Sequence, residues 1–98
     1  MLFIVHTRDN PGMLETRLET REAHLAWLAE AGEKVKAAGP WLDGSDKPAG
    51  SLLIVDMDDR AALNAWLAKD PYALAGLFES VETAPFRWVV NAPAGVPL

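Results

Sequence analysis

The 98-residue sequence predicts a single α+β domain of the ferredoxin-like type, with the element order β-α-β-β-α-β. Short apolar runs rich in β-branched residues stand at 2–7 and 51–57, where we expect strands. Two longer segments, 13–37 and 58–69, repeat their apolar residues with the period of a helix. A last β region, 77–91, ends in alternating apolar residues. This order predicts an antiparallel sheet with both helices on one face.

The first helical segment is the longest periodic stretch of the chain. Its apolar stripe, which we expect to face the core, consists of Leu14, Leu18, Leu25, Leu28 and Val35. Gly32 predicts a bend within the segment, and Gly39 with Pro40 predicts its end. The following PWLDG, residues 40–44, is a candidate for a short strand.

The second half of the chain adds a strand, a helix and the last β region. We expect Asp58 or Asp59 to cap the second helix, since a carboxylate accepts hydrogen bonds from the free N–H groups there. Pro85 predicts a bulge or an edge position, because proline cannot donate a ladder hydrogen bond. Residues 1–91 are therefore expected to form the domain, and residues 92–98 a loosely ordered C-terminal tail.

The composition argues against several classes of partner and site. Nine basic residues against fourteen acidic ones give a net charge of −5, which argues against binding nucleic acid or an anionic membrane surface. The absence of cysteine rules out disulfides and thiolate chemistry. Residues 1–10 contain no basic region and only a five-residue apolar run, so we expect neither a signal peptide nor a membrane span. The expected compartment is the cytoplasm.

The predicted sheet carries both helices on one face, which leaves its other face without cover. A chain of this size buries only a modest share of its surface and gains from burying more against a partner. The sequence therefore predicts a homodimer in which two sheets pack face to face.

Several motifs together resemble a known family. They are RLETREAHLAWL in the first helix, AAGPW after it, GSLLIVDMDDRAALNAWLAKDPY in the second half and APFRWV near the end. Over roughly residues 1–90, the chain is similar to the YCII-related family of the dimeric α/β-barrel superfamily. The resemblance implies a ferredoxin-like fold, a homodimer and an active site that pairs the helix histidine, His24, with the aspartate of Asp-Pro-Tyr, Asp70.

The resemblance does not fix the reaction. Some relatives act on small ring compounds, for example by dehydrochlorinating a chlorinated hydroxyquinol, and the superfamily includes lactone isomerases, antibiotic monooxygenases and haem proteins. Haem binding would appear as a coloured preparation. We expect no cofactor. We also expect no metal site, because His6 and His24 are the only imidazoles and the chain has neither cysteine nor an H-x-x-x-H spacing.

His24 is the first candidate for proton transfer. On a helix, Arg17, Arg21 and His24 stand at i, i+4 and i+7 and share one face, beside the leucine stripe. Histidine titrates with an ordinary pKa of about 6.5, which suits general acid–base catalysis near neutral pH. The alternative is a half-buried histidine that only hydrogen-bonds a neighbour.

Asp70 admits two interpretations. It directly precedes Pro71, and an aspartate before a proline that starts a helix is a good N-cap without any further role. A carboxylate held rigid by backbone N–H groups can also orient a histidine. His24 and Asp70 are 46 positions apart (70 − 24), so their spacing alone does not bring them together.

Three further residues are candidates for holding a substrate, namely Arg21, Ser51 and Tyr72. Arg21 offers a fixed fork of donors to a carboxylate or an enolate, whereas Arg17 is expected on a solvated face beside glutamates. Ser51 begins a buried strand without the G-x-S-x-G context of a nucleophile, so we expect its hydroxyl to hydrogen-bond a ligand or the backbone. Tyr72 combines a packing ring with a hydroxyl that can reach a ligand.

The residues and the resemblance together predict a small cofactor-independent enzyme. His24, oriented by Asp70, would move a proton on a small cyclic or aromatic-derived substrate in a lyase or isomerase type of reaction. The alternative is a non-catalytic homodimer that binds a small molecule or serves as an accessory protein. The variant His24→Gln discriminates the two, because a binding module would lose only about 1 kcal/mol of affinity, the equivalent of one hydrogen bond.

Overall fold

The computed structural model describes residues 1–97, so Leu98, the last residue of the predicted tail, lies outside the described part of the chain. The elements are, in order, β1 (Leu2–Asp9), α1 (Leu14–Ala31), β2 (Val35–Leu42), β3 (Pro48–Asp56), α2 (Arg60–Leu67), α3 (Pro71–Leu74) and β4 (Phe78–Pro85). One 3₁₀ turn, Gly32–Lys34, joins α1 to β2. The strands form one antiparallel sheet in the order β2-β3-β1-β4, which confirms the predicted α+β ferredoxin-like fold. Within residues 1–97, none of the helices is both long and apolar enough to cross a membrane.

One face of the sheet, here called the inner face, packs against α1 and α2. Phe3 and Val5 of β1 pair with Val55 and Leu53 of β3, respectively, and all four side chains are buried. Leu63 of α2 is fully buried against them. Because burying an apolar side chain of this size contributes about 1.5–3 kcal/mol, these residues form the core that holds the helices in place.

The opposite face, here called the outer face, is apolar and more accessible. Ile4 of β1 pairs with Ile54 of β3, and His6 pairs with Leu52. Leu52 is 42% exposed, and the other three side chains are half-buried. Since α1 and α2 pack on the inner face, these side chains remain available to a partner.

The prediction of a helical segment over 13–37 is wrong at its C-terminal end. The helix α1 ends at Ala31, and β2 begins at Val35, ahead of the candidate strand at 40–44. Gly32 has a φ angle of +58°, in the left-handed region that glycine adopts without steric cost, and this ends the helix. The segment after it pairs with β3 instead, so strand pairing outweighs the helical spacing of Val35.

The buried face of α1 also differs from the predicted leucine stripe. Leu18 and Leu25 are 58% and 42% exposed, whereas Arg17, His24 and Trp27 are buried. Arg17 and His24 each hydrogen-bond a buried carboxylate, which removes most of the cost of burying a polar side chain. The two leucines instead border a pocket between α1 and β2.

The second half of the chain follows the prediction more closely. Asp59 caps α2 by accepting a hydrogen bond from the N–H of Ala62 at 2.8 Å. Strand β4 lies at the edge of the sheet and ends at Pro85, which agrees with the predicted edge position. The apolar alternation after Pro85 is not a strand, because residues 86–97 contain neither helix nor strand. The domain boundary at residue 91 stays a prediction.

Candidate active site

A pocket of about 210 Å³ lies between α1 and the edge strand β2. One wall is polar and consists of Arg17, His24, Ser51 and Tyr72. The other wall is apolar and includes leucines of α1 and the stretch 38–40 of β2. Four other grooves of about 220–380 Å³ on the described part of the chain are lined by neither His6 nor His24. The smaller pocket is therefore the candidate active site.

His24 and Asp70 are in direct contact beside this pocket. Nδ1 of His24 lies 2.8 Å from Oδ1 of Asp70, and both side chains are buried. An ionised carboxylate can only accept, so Nδ1 carries a proton and donates it, and the lone pair of the neutral ring lies on Nε2. Among residues 1–97, no group hydrogen-bonds Nε2, and His24 lines the pocket. This nitrogen is therefore left for a ligand.

Asp70 is at the same time the N-cap of α3. Its Oδ1 also accepts a hydrogen bond from the backbone N–H of Tyr72 at 2.9 Å, and Pro71 occupies the first helical position. Two donors thus hold the carboxylate in one orientation. The helix cap and the histidine partner, which the sequence offers as alternatives, coexist in one side chain.

Tyr72 packs directly against the imidazole. The ring centroids of His24 and Tyr72 are 4.0 Å apart with an interplanar angle of 18°, and the indole of Trp27 approaches the same imidazole at 5.5 Å. Burial raises the pKa of the Tyr72 phenol, an effect that the nearby Arg17 guanidinium partly opposes. The phenol therefore stays protonated at neutral pH and can donate a hydrogen bond.

Arg17 is buried within the site, so the prediction of a solvated Arg17 is wrong. Its Nε and Nη2 donate to the two carboxylate oxygens of Asp9 at 2.6 and 3.0 Å, and Nη2 also donates to Oγ of Ser51 at 2.9 Å. Its Cζ lies 4.6 Å from the ring centroid of Tyr72, within range of a cation–π contact. Asp9, at the end of β1, supplies the opposite charge that a buried guanidinium requires.

The other two predicted substrate-binding residues differ in exposure. Ser51 is buried, and its backbone N–H donates to Oγ1 of Thr7 at 2.8 Å. Arg21 is exposed, lines the same pocket and forms no ion pair with any residue of the described chain. All five site residues predicted from the sequence therefore line this pocket or lie directly behind it.

Asp9 was not among the site residues predicted from the sequence, and Arg17 was predicted to be solvated rather than buried. One signal for Arg17 was present, because it stands seven positions before His24 on the same helix face as the candidate base. Asp9 carries no comparable signal. Only the tertiary packing of β1 beside α1 brings its carboxylate to the guanidinium.

The acidic groups of the site are all engaged by protein partners. The carboxylate of Asp9 binds Arg17, and that of Asp70 binds His24. No three His, Asp or Glu side chains in residues 1–97 converge as a metal site would require. The groups that face the pocket are therefore donors of hydrogen bonds and one imidazole nitrogen.

Known proteins share this sequence pattern and fold. A family model described as the YCII-related domain matches residues 1–87. Over 97 residues the chain is 36% identical to Protein YciI of Escherichia coli O6:H1, an alignment that covers 91% of this chain and 99% of that protein. It is 34% identical to an uncharacterized protein of Haemophilus influenzae, with the same coverage of both chains.

One solved structure combines a similar fold with a bound ring compound. It is 5-chloro-2-hydroxyhydroquinone dehydrochlorinase (TftG) from Burkholderia phenoliruptrix AC1100, in complex with 2,5-dihydroxybenzoquinone. The two chains superpose with a TM-score of 0.87 at 28% identity, over 95% of this chain and 100% of that one.

Proposed function

Because the chain belongs to the YCII-related family, we propose that it is a small cofactor-independent enzyme of the lyase or isomerase type. In this proposal, His24 moves a proton on a small cyclic or aromatic-derived substrate, and Asp70 orients it. The observation that carries the proposal is the buried contact of 2.8 Å between Nδ1 of His24 and Oδ1 of Asp70. This contact leaves Nε2 of a pocket-lining imidazole to act on a ligand.

The proposed proton transfer uses Nε2 of His24, the ring nitrogen that does not contact Asp70. Nε2 of a neutral His24 can accept a proton from a hydroxyl group or from a carbon next to a carbonyl. The carboxylate of Asp70 stabilises the imidazolium that forms. The electron pair left on the substrate then takes a proton at another atom, which gives an isomer, or expels a leaving group as an anion, which gives an elimination. Neither course requires an oxidant or a reductant.

The size and the walls of the pocket suit a single ring. A cavity of about 150 Å³ is large enough for benzene, and this pocket has about 210 Å³. The leucines of α1 and Pro40 supply apolar surface for a ring. The ring compound bound to TftG, 2,5-dihydroxybenzoquinone, carries hydroxyl and carbonyl oxygens, and the polar wall offers donors for such groups. We therefore propose a small ring with hydroxyl or carbonyl substituents as the substrate class.

The polar side chains of the pocket would each bind a different group of this ring compound. Arg17 is paired with Asp9 but also lines the pocket, so its guanidinium can donate a hydrogen bond to an oxygen that becomes negative when a proton leaves. Ser51 and the protonated phenol of Tyr72 offer neutral donors. Arg21, on the exposed side of the pocket, would attract an anionic substituent.

Turnover of 5-chloro-2-hydroxyhydroquinone under anaerobic conditions tests the proposal. We expect the wild-type protein to release chloride, measured by ion chromatography, and His24→Gln to lower kcat about 10²–10⁴-fold, the usual contribution of general acid–base catalysis. The matched control is His6→Gln, which we expect to keep the wild-type kcat because His6 lies on the outer face of the sheet and does not line the pocket.

Two outcomes would contradict the proposed function. One is a His24→Gln variant with the wild-type kcat. The other is a wild-type protein that binds 2,5-dihydroxybenzoquinone but releases no chloride. The second outcome would favour the non-catalytic ligand-binding dimer, in which His24→Gln weakens binding by only about 1 kcal/mol.

We also propose a homodimer in which two copies pack outer face against outer face. The outer face presents the apolar side chains of Ile4, Leu52 and Ile54. It also carries charges of both signs, since Glu82 of β4 stands opposite His6 and Arg8 lies two positions further along β1. Neither Glu82 nor Arg8 forms an ion pair within residues 1–97. A surface with both signs can be complementary to itself across a twofold axis.

Ile54→Asp tests this dimer. We expect the variant to be monomeric by sedimentation velocity, because its carboxylate would be buried without a partner between two apolar faces. Leu74→Asp is the control, since Leu74 is 75% exposed on α3 and does not belong to the outer face, and we expect it to remain dimeric. A monomeric wild-type protein would contradict the proposed assembly.

A further inference from the structure

Trp41 of β2 lies on the outer face of the sheet and does not line the pocket, yet its indole reaches across β3 to β1. In the ladder between β2 and β3, Trp41 stands opposite Gly50. A Cβ atom at residue 50 would overlap both Nε1 of Trp41 and the carbonyl oxygen of Thr7. The absent side chain of Gly50 therefore opens the path by which the indole crosses β3 to β1.

A chain of three hydrogen bonds leads from the indole of Trp41 to the polar wall of the pocket. Nε1–H of Trp41 donates to the carbonyl oxygen of Thr7 at 2.7 Å. Oγ1 of Thr7 accepts from the backbone N–H of Ser51 at 2.8 Å, and Oγ of Ser51 accepts from Arg17 at 2.9 Å. One residue of β1 thus connects the indole on the outer face with two residues of the polar pocket wall.

Two side chains of β1 hold the indole in its orientation. The imidazole of His6 stacks on Trp41 with ring centroids 5.4 Å apart and an interplanar angle of 16°. The guanidinium of Arg8 lies 4.8 Å from the centroid of the indole. Trp41 is therefore fixed to β1 by a hydrogen bond, a ring stack and a cation–π contact.

The position of β2 affects the shape of the pocket, because residues 38–40 of this strand form part of the apolar wall. Within the sheet, β2 is an edge strand that pairs only with β3. The register of this pairing shifts between Trp41 and Leu42, and such an irregularity disrupts the ladder locally. The contact of Trp41 with β1 is thus an additional attachment for the end of the strand that forms the wall.

We propose that Trp41 is a positioning residue for the pocket. It fixes the wall at 38–40 through the strand, and it fixes Ser51 through Thr7, without touching the ligand. This inference rests on the proposed function, in which this pocket holds the substrate.

The test compares Trp41→Phe with Trp88→Phe. Both variants keep an aromatic ring and lose an indole N–H that donates to a backbone carbonyl, since Nε1–H of Trp88 donates to Val90 at 2.8 Å. Trp88 does not line the pocket. By calorimetry with 2,5-dihydroxybenzoquinone, we expect about fivefold weaker binding for Trp41→Phe, the equivalent of one hydrogen bond, and wild-type affinity for Trp88→Phe. In turnover, KM should rise by the same factor in Trp41→Phe with kcat unchanged, because the pair of His24 and Asp70 is not displaced.

Equal affinities of the two variants would overturn the positioning role. A lower kcat at unchanged KM in Trp41→Phe would also overturn it, because the effect would then lie on the proton-transfer pair. If the wild-type protein neither binds the quinone nor turns over the hydroquinone, the proposed function fails separately. The backbone amide resonance of Ser51 then decides the matter: a shift in Trp41→Phe but not in Trp88→Phe supports the positioning role, and an unshifted resonance overturns it.

Discussion

Replacing Asp70 by asparagine is expected to lower kcat about 10²–10⁴-fold while the fold stays nearly as stable as in the wild type. Oδ1 of Asp70 accepts hydrogen bonds from both Nδ1 of His24 and the backbone N–H of Tyr72. The amide oxygen of asparagine can accept from the same two donors. The variant thus keeps the cap of α3 and loses the negative charge that stabilises a protonated His24.

Asp70→Ala separates the two roles of this side chain. It removes the charge and the cap together, so we expect the same loss of kcat and, in addition, about 0.5–2 kcal/mol less free energy of unfolding. Chloride release gives kcat, and urea denaturation followed by tryptophan fluorescence gives the free energy of unfolding. An asparagine variant with the wild-type kcat would reduce Asp70 to a helix cap.

Asp9→Ala is expected to lower the free energy of unfolding by about 3–5 kcal/mol, because it leaves a buried charge without its partner. The side chains of Arg17 and Asp9 are only 5% and 8% exposed. Without Asp9, the guanidinium would keep Ser51 as its remaining hydrogen-bond partner on this side. Since small domains are stable by about 5–15 kcal/mol, the expected loss is a large fraction of the total.

Asp56→Ala is the matched control for this prediction. The carboxylate of Asp56 pairs with the N-terminal ammonium of Met1 at 2.7 Å, but the two groups are 33% and 51% exposed, so we expect a loss of at most about 1 kcal/mol. Both variants are measured by urea denaturation. The double variant Asp9→Ala with Arg17→Met is expected to recover part of the stability, because the unpaired charge is removed. Equal losses in the two single variants would contradict a buried ion pair at Asp9.

The order of the elements could be predicted from the sequence because buried strands and helices differ in the spacing of their apolar residues. The apolar run at 51–57 lies almost entirely in β3, and Asp59 caps α2, as expected. The end of α1 could not be predicted in this way. Val35 continues the helical spacing of the leucines but pairs with Val55 of β3. Pairing between distant strands decides its conformation, and a local pattern contains no information about it.

The residues of the candidate site likewise include some that could be predicted from the sequence and some that could not. His24 and Asp70 were identifiable through their motifs, and the structure brings them into contact across 46 positions of the chain. Arg17 was assigned to a solvated face because the burial of an arginine depends on a carboxylate, and Asp9 comes from another element. The substrate-binding roles of the other site residues and the cytoplasmic location stay predictions.

The most direct test of the central claim, that Asp70 fixes the proton of His24 on Nδ1, is the ¹⁵N NMR spectrum of the imidazole nitrogens. The chain has only two histidines, so a spectrum of His6→Gln assigns the signals of His24. We predict that in the neutral ring Nδ1 carries the proton and Nε2 is unprotonated. A neutral ring that carries its proton on Nε2 would contradict the claim, because Nδ1 could then not donate to Asp70 and the pocket would contain no free base.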